Sequence, residues 1–143
     1  MNSEFTIAVH SLVLLAYKPD HMATSEEIAR NVCTHPARVR KVMSSLRKSG
    51  YVEAKEGTGG GFMLSSRPEE VTLADLYMET SYGSIKPTWC SGDDSQECMV
   101  AGNMAAVMGS VFSEAEAHLI DYLRQITVSG MLERVRAAQA DKI

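Results

Sequence analysis

Between Thr24 and Gly50 two helix starts stand almost back to back, and this limits the fold more than any other feature of the chain. Thr24-Ser-Glu-Glu27 has the form of a capping box, in which the Thr24 hydroxyl and the Glu27 carboxylate satisfy amides that a helix start leaves open. The helix it begins, with Ile28 and Val32 turned inward, is over by Cys33. Thr34-His35-Pro36 opens the next one, because proline lacks an amide that the first turn could not pair anyway. Val39, Val42, Met43 and Leu46 form its apolar stripe, and Gly50 is a natural stop. Two helices joined this tightly must cross at an angle, as in a helix-turn-helix.

The flanking segments agree with that reading. Ahead of it, Phe5, Ala8, Val9, Leu12, Val13 and Ala16 recur at helical spacing until Pro19. Behind it, Tyr51 to Lys55 alternates as a strand, Gly57-Thr-Gly-Gly-Gly61 turns, and Phe62 to Leu64 returns. The spacing predicts a mainly α chain with a winged helix-turn-helix over residues 1–67 and a two-stranded wing. The glycine run is not a phosphate-binding loop of the nucleotide type, which would end in Lys-Ser/Thr and enter a helix rather than Phe62-Met-Leu64.

Residues 68–97 read as a linking helix and a loop. Thr72, with Asp75 three residues on, starts a helix that buries Leu73, Leu76 and Tyr77, and residues 81–97 are rich in Gly, Ser, Asp and Pro. Residues 98–143 then carry a long helix, Met99 to Ile126, and a short closing helix capped by Thr127, with Met131, Leu132 and Val135 on its apolar side. The long helix has two apolar stripes. One is Met104, Met108, Val111, Ala115, His118 and Tyr122; the other is Val100, Val107, Phe112, Leu119, Leu123 and Ile126. A small domain cannot cover both, so the first stripe is expected to form a homodimer interface.

The formal charge of −4 argues against a nucleic-acid partner only if charge is spread evenly, and it is not. Residues 1–67 hold nine basic and six acidic groups, net +3, and the remainder five and twelve, net −7. Arg38, Arg40, Lys41, Arg47 and Lys48 stand off the apolar stripe of the third helix, at a density that can neutralise phosphates. His35, Ala37, Arg38 and Lys41 lie nearest its N-terminus, where base edges are read, and Thr34 and Pro36 belong to the same helix start. Gly59 and Gly60 at the hairpin tip let backbone amides approach a phosphate. Double-stranded DNA is the expected partner. A solvated basic face and a plain structural turn are the alternatives for these two features.

Cys90 and Cys98 flank the acidic loop. Their spacing is too long for a zinc knuckle, which leaves a reversible disulfide, a metal or cluster completed by a partner subunit, or two small apolar side chains. Cys33 is expected to be packed, and His10 and His118 to be core or interface histidines. No Ser/His/Asp or Cys/His constellation can be assembled, so an enzyme is not expected, and the residues themselves call for no metal or cofactor. An odd number of cysteines does not make a disulfide framework and favours a reducing compartment. The apolar N-terminal run has no basic leader or cleavage motif and falls far short of the ~20 residues that span a membrane. A cytoplasmic chain with no membrane partner is expected.

Three segments together, His35 to Val52, Glu56-Gly-Thr-Gly-Gly-Gly-Phe62 and Val71-Thr-Leu-Ala-Asp-Leu76, resemble the Rrf2-type transcription regulators, and Ile126 to Leu132 extends the likeness over nearly the whole chain. The family includes regulators of iron–sulfur assembly, nitric-oxide response and cysteine metabolism. The resemblance implies a dimer with long helices crossing between subunits and two winged helices on a palindromic operator, usually as a repressor. It further implies backbone contacts from Thr24, Ser25, Arg47 and Lys48, a recognition helix over residues 35–43, and a wing tip at Gly57 to Gly61. Two departures stand out. Glu56 occupies a place where several members have an arginine for the minor groove, leaving Lys55 as a substitute. The cluster-binding members use three loop cysteines and a fourth ligand, whereas here Cys90 and Cys98 stand with Ala101 where a histidine would fall. His10, beside Thr6, is the remaining candidate from the first helix of the other subunit. An iron–sulfur cluster therefore has an incomplete ligand set. The expected function is a homodimeric DNA-binding regulator responding to redox state or a small ligand through residues 81–98; the alternative is a metal, cluster or redox sensor at the cysteines with DNA binding as output.

Overall fold

In the computed structural model, which describes residues 2–142, the elements run α1 (Ser3–Tyr17), β1 (Met22–Ala23), α2 (Ser25–Val32), α3 (Pro36–Lys48), β2 (Val52–Lys55), β3 (Gly61–Leu64), α4 (Leu73–Thr80), α5 (Met99–Arg124) and α6 (Val128–Ala140). Local chemistry sets most of the boundaries. Asn2, Thr24, Thr72 and Thr127 each accept a backbone amide as N-cap, and the Thr24–Glu27 and Thr72–Asp75 pairs form complete capping boxes.

α1 is the centre of the packing. It touches α2, α3, α4, α6 and β3, and Ile7, Ala8, Leu12 and Leu15 are buried along it, with Ser11 donating its hydroxyl proton to the Ile7 carbonyl. Phe5, Val13 and Ala16 are only half-buried, so the buried face is turned from the expected stripe toward Ile7 and Leu15. Leu12, Ile28, Val39, Met43, Leu46, Leu76 and Tyr77 share one core. At about 1.5–3 kcal/mol for each large side chain removed from water, this core fixes the angle between α2 and α3.

The two-stranded wing forms as β2 and β3, and a third strand joins it to give an antiparallel sheet in the order β1-β3-β2. β1 pairs Met22 with Met63 and Ala23 with Phe62. The approach depends on Gly61, whose φ is +144° and where a Cβ would lie 2.5 Å from the Ala23 carbonyl oxygen. Two residues are too few to show alternation, which is why β1 is invisible in the sequence.

The caps of α4 and α6 are joined side by side. Thr72 and Thr127 form an antiparallel bridge, Leu73 donates to the Ile126 carbonyl at 2.8 Å, and Val128 donates to that of Val71 at 2.9 Å. This turns the chain back at the foot of α5, which ends at Arg124 rather than Ile126, and lays α6 against α1.

Candidate nucleic-acid interface

The apolar stripe of α3 is fully committed to the core: Val39, Val42, Met43 and Leu46 are all buried. A helical period of 3.6 then forces Arg38, Arg40, Lys41, Arg47 and Lys48 to the other side, where all five are exposed. His35 caps α3 without a side-chain bond to it and is exposed; Pro36 is the first residue and Ala37 is exposed beside it. Thr34 is half-buried in the turn.

These cations differ in their attachments. Arg38 donates from Nη2 to the Ser3 hydroxyl. Arg40 donates to the Ser25 hydroxyl at 3.4 Å and lies 3.8 Å from a Glu26 carboxylate oxygen. Lys41 Nζ is 2.9 Å from Glu4 Oε1. The Arg47 and Lys48 side chains have no ion pair or hydrogen bond among the described residues, although they sit on the last turn of α3, where positive charge suits the helix dipole. Pairs as exposed as Arg40–Glu26 and Lys41–Glu4 contribute about 0–1 kcal/mol, too little to hold either cation away from a phosphate. The face is therefore not neutralised from within.

At the start of α2, Thr24 and Ser25 are half-buried; Thr24 is engaged by its capping box, and Ser25 Oγ donates to Glu26 at 3.2 Å. Glu27 has its carboxyl held below the ordinary range, first by the hydrogen bond from Lys18 at 2.6 Å and then by the Thr24 amide. In the wing, Lys55 is exposed at the end of β2, and Gly57 and Gly59 adopt φ of +89° and +77°. Gly60 is there for the turn itself: its N–H donates to the Gly57 carbonyl at 3.0 Å, and a Cβ would lie 2.1 Å from the Lys55 carbonyl oxygen. Its amide is thus taken, whereas Gly57 and Gly59 are exposed at the tip.

α5 presents Met108, Val111, Ala115, His118 and Tyr122 to solvent, with Val111 and Tyr122 50% and 54% exposed, while Met104 is half-buried. His118 is outside the core. Of the second stripe, Leu123 and Ile126 are buried, Phe112 and Leu119 half-buried, and Val100 and Val107 exposed. Glu116, which no sequence pattern marks, is buried at 8% exposure. Its Oε2 accepts the Tyr77 hydroxyl at 2.6 Å and the Gly83 amide at 2.6 Å, tying α5 to α4 and to the start of the loop. Burial, followed by that carboxylate, pushes the Tyr77 phenol up to about 12.

The cysteines are not brought together with the histidine. Cys90 borders a small cavity of about 220 Å³ with Trp89, Met108 and Phe112, whereas His10 lies on a separate groove of about 600 Å³ between α1 and α6, hydrogen-bonded to Asn31 Oδ1 at 2.7 Å. Phe5, Val9, Val13, Met131 and Val135 line that groove, which the sequence did not disclose. Cys98 is the N-cap of α5 and exposed; the Ala101 and Val100 amides hold its thiol below the usual range. The loop folds back there, Asp93 donating to the Ala101 carbonyl at 3.0 Å. Cys33, expected to be packed, is exposed in the turn between α2 and α3 with φ +67°, because the tight turn needs a left-handed residue at that point. Among the described residues no three His, Cys, Asp or Glu side chains converge in a way that could hold a metal. The side chains of one chain do not fit an iron–sulfur cluster.

The family model Rrf2, described as an iron-dependent transcriptional regulator, matches residues 1–134. The chain is 28% identical over 137 residues to YwgB of Bacillus subtilis, named as an HTH-type transcriptional regulator, covering 94% of this chain and 85% of the relative. It is 27% identical over 122 residues to the HTH-type transcriptional regulator NsrR of Shouchella clausii, covering 85% and 80%. A crystal structure from Lactobacillus plantarum described as a transcriptional regulator superposes with a TM-score of 0.83 at 25% identity, covering 99% of this chain and 98% of the other.

Proposed function

The chain belongs to the Rrf2 family of transcriptional regulators, which are not enzymes, and from that premise we propose that two copies of it bind a palindromic operator as a cytoplasmic repressor. The observation that carries this is the outward face of α3: five exposed cations on a helix whose opposite stripe is wholly buried, braced by a three-stranded sheet. His35, Ala37, Arg38 and Lys41 are positioned for base edges, with Thr34 and Pro36 setting the start of the helix. Arg40, Arg47, Lys48 and Lys55 take phosphates, together with the start of α2 at Thr24 and Ser25 and the tip at Gly59.

Dimerisation supplies the second half-site. The exposed stripe Met108, Val111, Ala115, His118 and Tyr122, with Met104, is apolar surface of the kind a partner covers, and the groove between α1 and α6 is a further unpartnered apolar surface. Recognition helices of such dimers enter successive major grooves about 34–36 Å apart, so the operator half-sites would be about one turn apart. A dimer seated on a promoter excludes polymerase, which is why repression is the output we assign. No described helix is long and apolar enough to cross a membrane.

A second reading concerns the signal. Cys90 and Cys98 are both exposed, and Cys98 stands at the head of α5 with its thiol held below the usual range, which supports a redox input at this loop. The cysteines then act as a redox input and DNA as the output. The experiment for the main reading is selection of bound duplexes from a random-sequence pool, followed by a salt titration of the selected duplex. A palindromic selection whose affinity falls steeply with salt supports the reading; no enrichment, or affinity indifferent to salt, overturns it.

A further inference from the structure

The first turn of α1 is bonded to two places that otherwise do not meet. Toward α3, Ser3 Oγ accepts from Arg38 and Glu4 Oε1 accepts from Lys41, across 35 and 37 residues of sequence. Toward the loop, Asn2 Nδ2 donates to the Thr80 carbonyl at 3.0 Å, and Asn2 Oδ1 accepts from the buried Ser81 hydroxyl at 2.9 Å as well as from the Glu4 amide at 3.1 Å. Two residues further on, the Gly83 amide is fastened to buried Glu116 on α5. Hydrogen bonds and the short backbone stretches between them therefore run from the long helix, through the turn at residues 80–83, to Arg38 and Lys41 on α3.

We propose that Asn2, Ser3 and Glu4 are positioning residues for DNA recognition, anchored at the Thr80–Ser81 turn and fixing Arg38 and Lys41 in the orientation in which they meet DNA. This rests on reading α3 as the DNA-contacting helix. The contacts are compatible with DNA because neither cation is used up: a guanidinium has five N–H donors and Ser3 takes one, and an ammonium has three and Glu4 takes one. Long side chains lose rotamer freedom on binding, and side chains already held lose less. The turn at residues 80–83 begins the loop that carries the cysteines, so a change there reaches the recognition helix without passing through the core.

Serine at position 2 separates anchoring from capping. Asn2→Ser keeps a good N-cap for α1 but is too short to span to Thr80 and Ser81. On the duplex selected by the wild-type chain, at low salt and at a temperature where both proteins are fully folded, Asn2→Ser is expected to weaken binding about tenfold, equivalent to about 1.4 kcal/mol. In an Arg38→Ala/Lys41→Ala background the same substitution is expected to cost nothing further, which a general loosening of the fold would not reproduce. Wild-type affinity for Asn2→Ser, or an equal loss in both backgrounds, overturns the positioning role and leaves the DNA face standing. If Arg38→Ala/Lys41→Ala itself binds like wild type, the assignment of α3 fails and this inference falls with it.

Discussion

Removing the two unattached cations of α3 gives the sharpest test of where DNA lies. Arg47 and Lys48 are exposed, and their side chains make no ion pair or hydrogen bond among the described residues, so Arg47→Ala/Lys48→Ala breaks neither kind of bond. What it removes is favourable charge at the C-terminus of α3, about 0.3–1 kcal/mol of stability for each residue. Counted with Arg38, Arg40, Lys41 and Lys55, these residues bring the exposed cations of the proposed surface to six per protomer. If every one neutralises a phosphate, the logarithm of the binding constant falls with the logarithm of salt at a slope of about −5 per protomer, or about −11 for a dimer, as an upper limit. The double substitution should make the slope shallower by about 2 per protomer, or about 4 per dimer. Fluorescence anisotropy of a labelled duplex between roughly 50 and 200 mM KCl reads this directly. Arg134→Ala/Arg136→Ala removes equal charge from α6 and serves as control. An unchanged slope in the α3 variant, or the same change in the α6 control, would refute the assignment of phosphate contacts to α3.

Three further outcomes follow from contacts elsewhere. Tyr77→Phe leaves buried Glu116, among the described residues, with the hydrogen bond from the Gly83 amide and is expected to cost about 1.5–3 kcal/mol in denaturant unfolding. Because the folded-state phenol is raised to about 12, its contribution is complete below the ordinary tyrosine range near pH 10 and is lost as pH climbs from there through about 12. Wild type should therefore lose stability over that interval and Tyr77→Phe should lose less, as thermal melts across the interval would show. Gly60→Ala puts a Cβ 2.1 Å from the Lys55 carbonyl oxygen, and the hairpin must open to admit it, at about 1–3 kcal/mol, measured by urea titration. Val111→Asp places a carboxylate on the exposed α5 stripe; sedimentation should show a monomer while circular dichroism keeps its helical signal, because Val111 is half exposed within the protomer.

Features visible in the sequence are those decided within a turn or two of chain. Thr24 with Glu27, Thr72 with Asp75, Pro36 and Thr127 each act on amides no more than three residues away, and each sets the helix start expected of it. What escaped was made by contacts distant in sequence. β1 exists because Gly61 lets Ala23 come close, and Glu116 is buried because Tyr77 and Gly83, 39 and 33 residues earlier, satisfy it. The left-handed Cys33 belongs to the same class: a cysteine carries no backbone signal of that kind, and its exposure follows from turn geometry.

The same distinction explains why the cationic face of α3 was more legible than the loop that carries Cys90 and Cys98. Once Val39, Val42, Met43 and Leu46 are buried, helical geometry alone puts Arg38, Arg40, Lys41, Arg47 and Lys48 on the far side, and no tertiary contact is needed to predict it. Nothing comparable constrains residues 81–98. Their course is set by a few backbone bonds, among them Gly83 to Glu116 and Asp93 to Ala101, that a periodic pattern cannot encode. Cys98 gains its lowered thiol from amides of the helix it caps, whereas Cys90 ends beside Trp89 and Phe112 in a different surrounding, although the two look equivalent in the sequence. Charge on a helix face is thus a property of spacing, while reactivity in a loop is a property of its surroundings, and only the first can be read before the chain is folded.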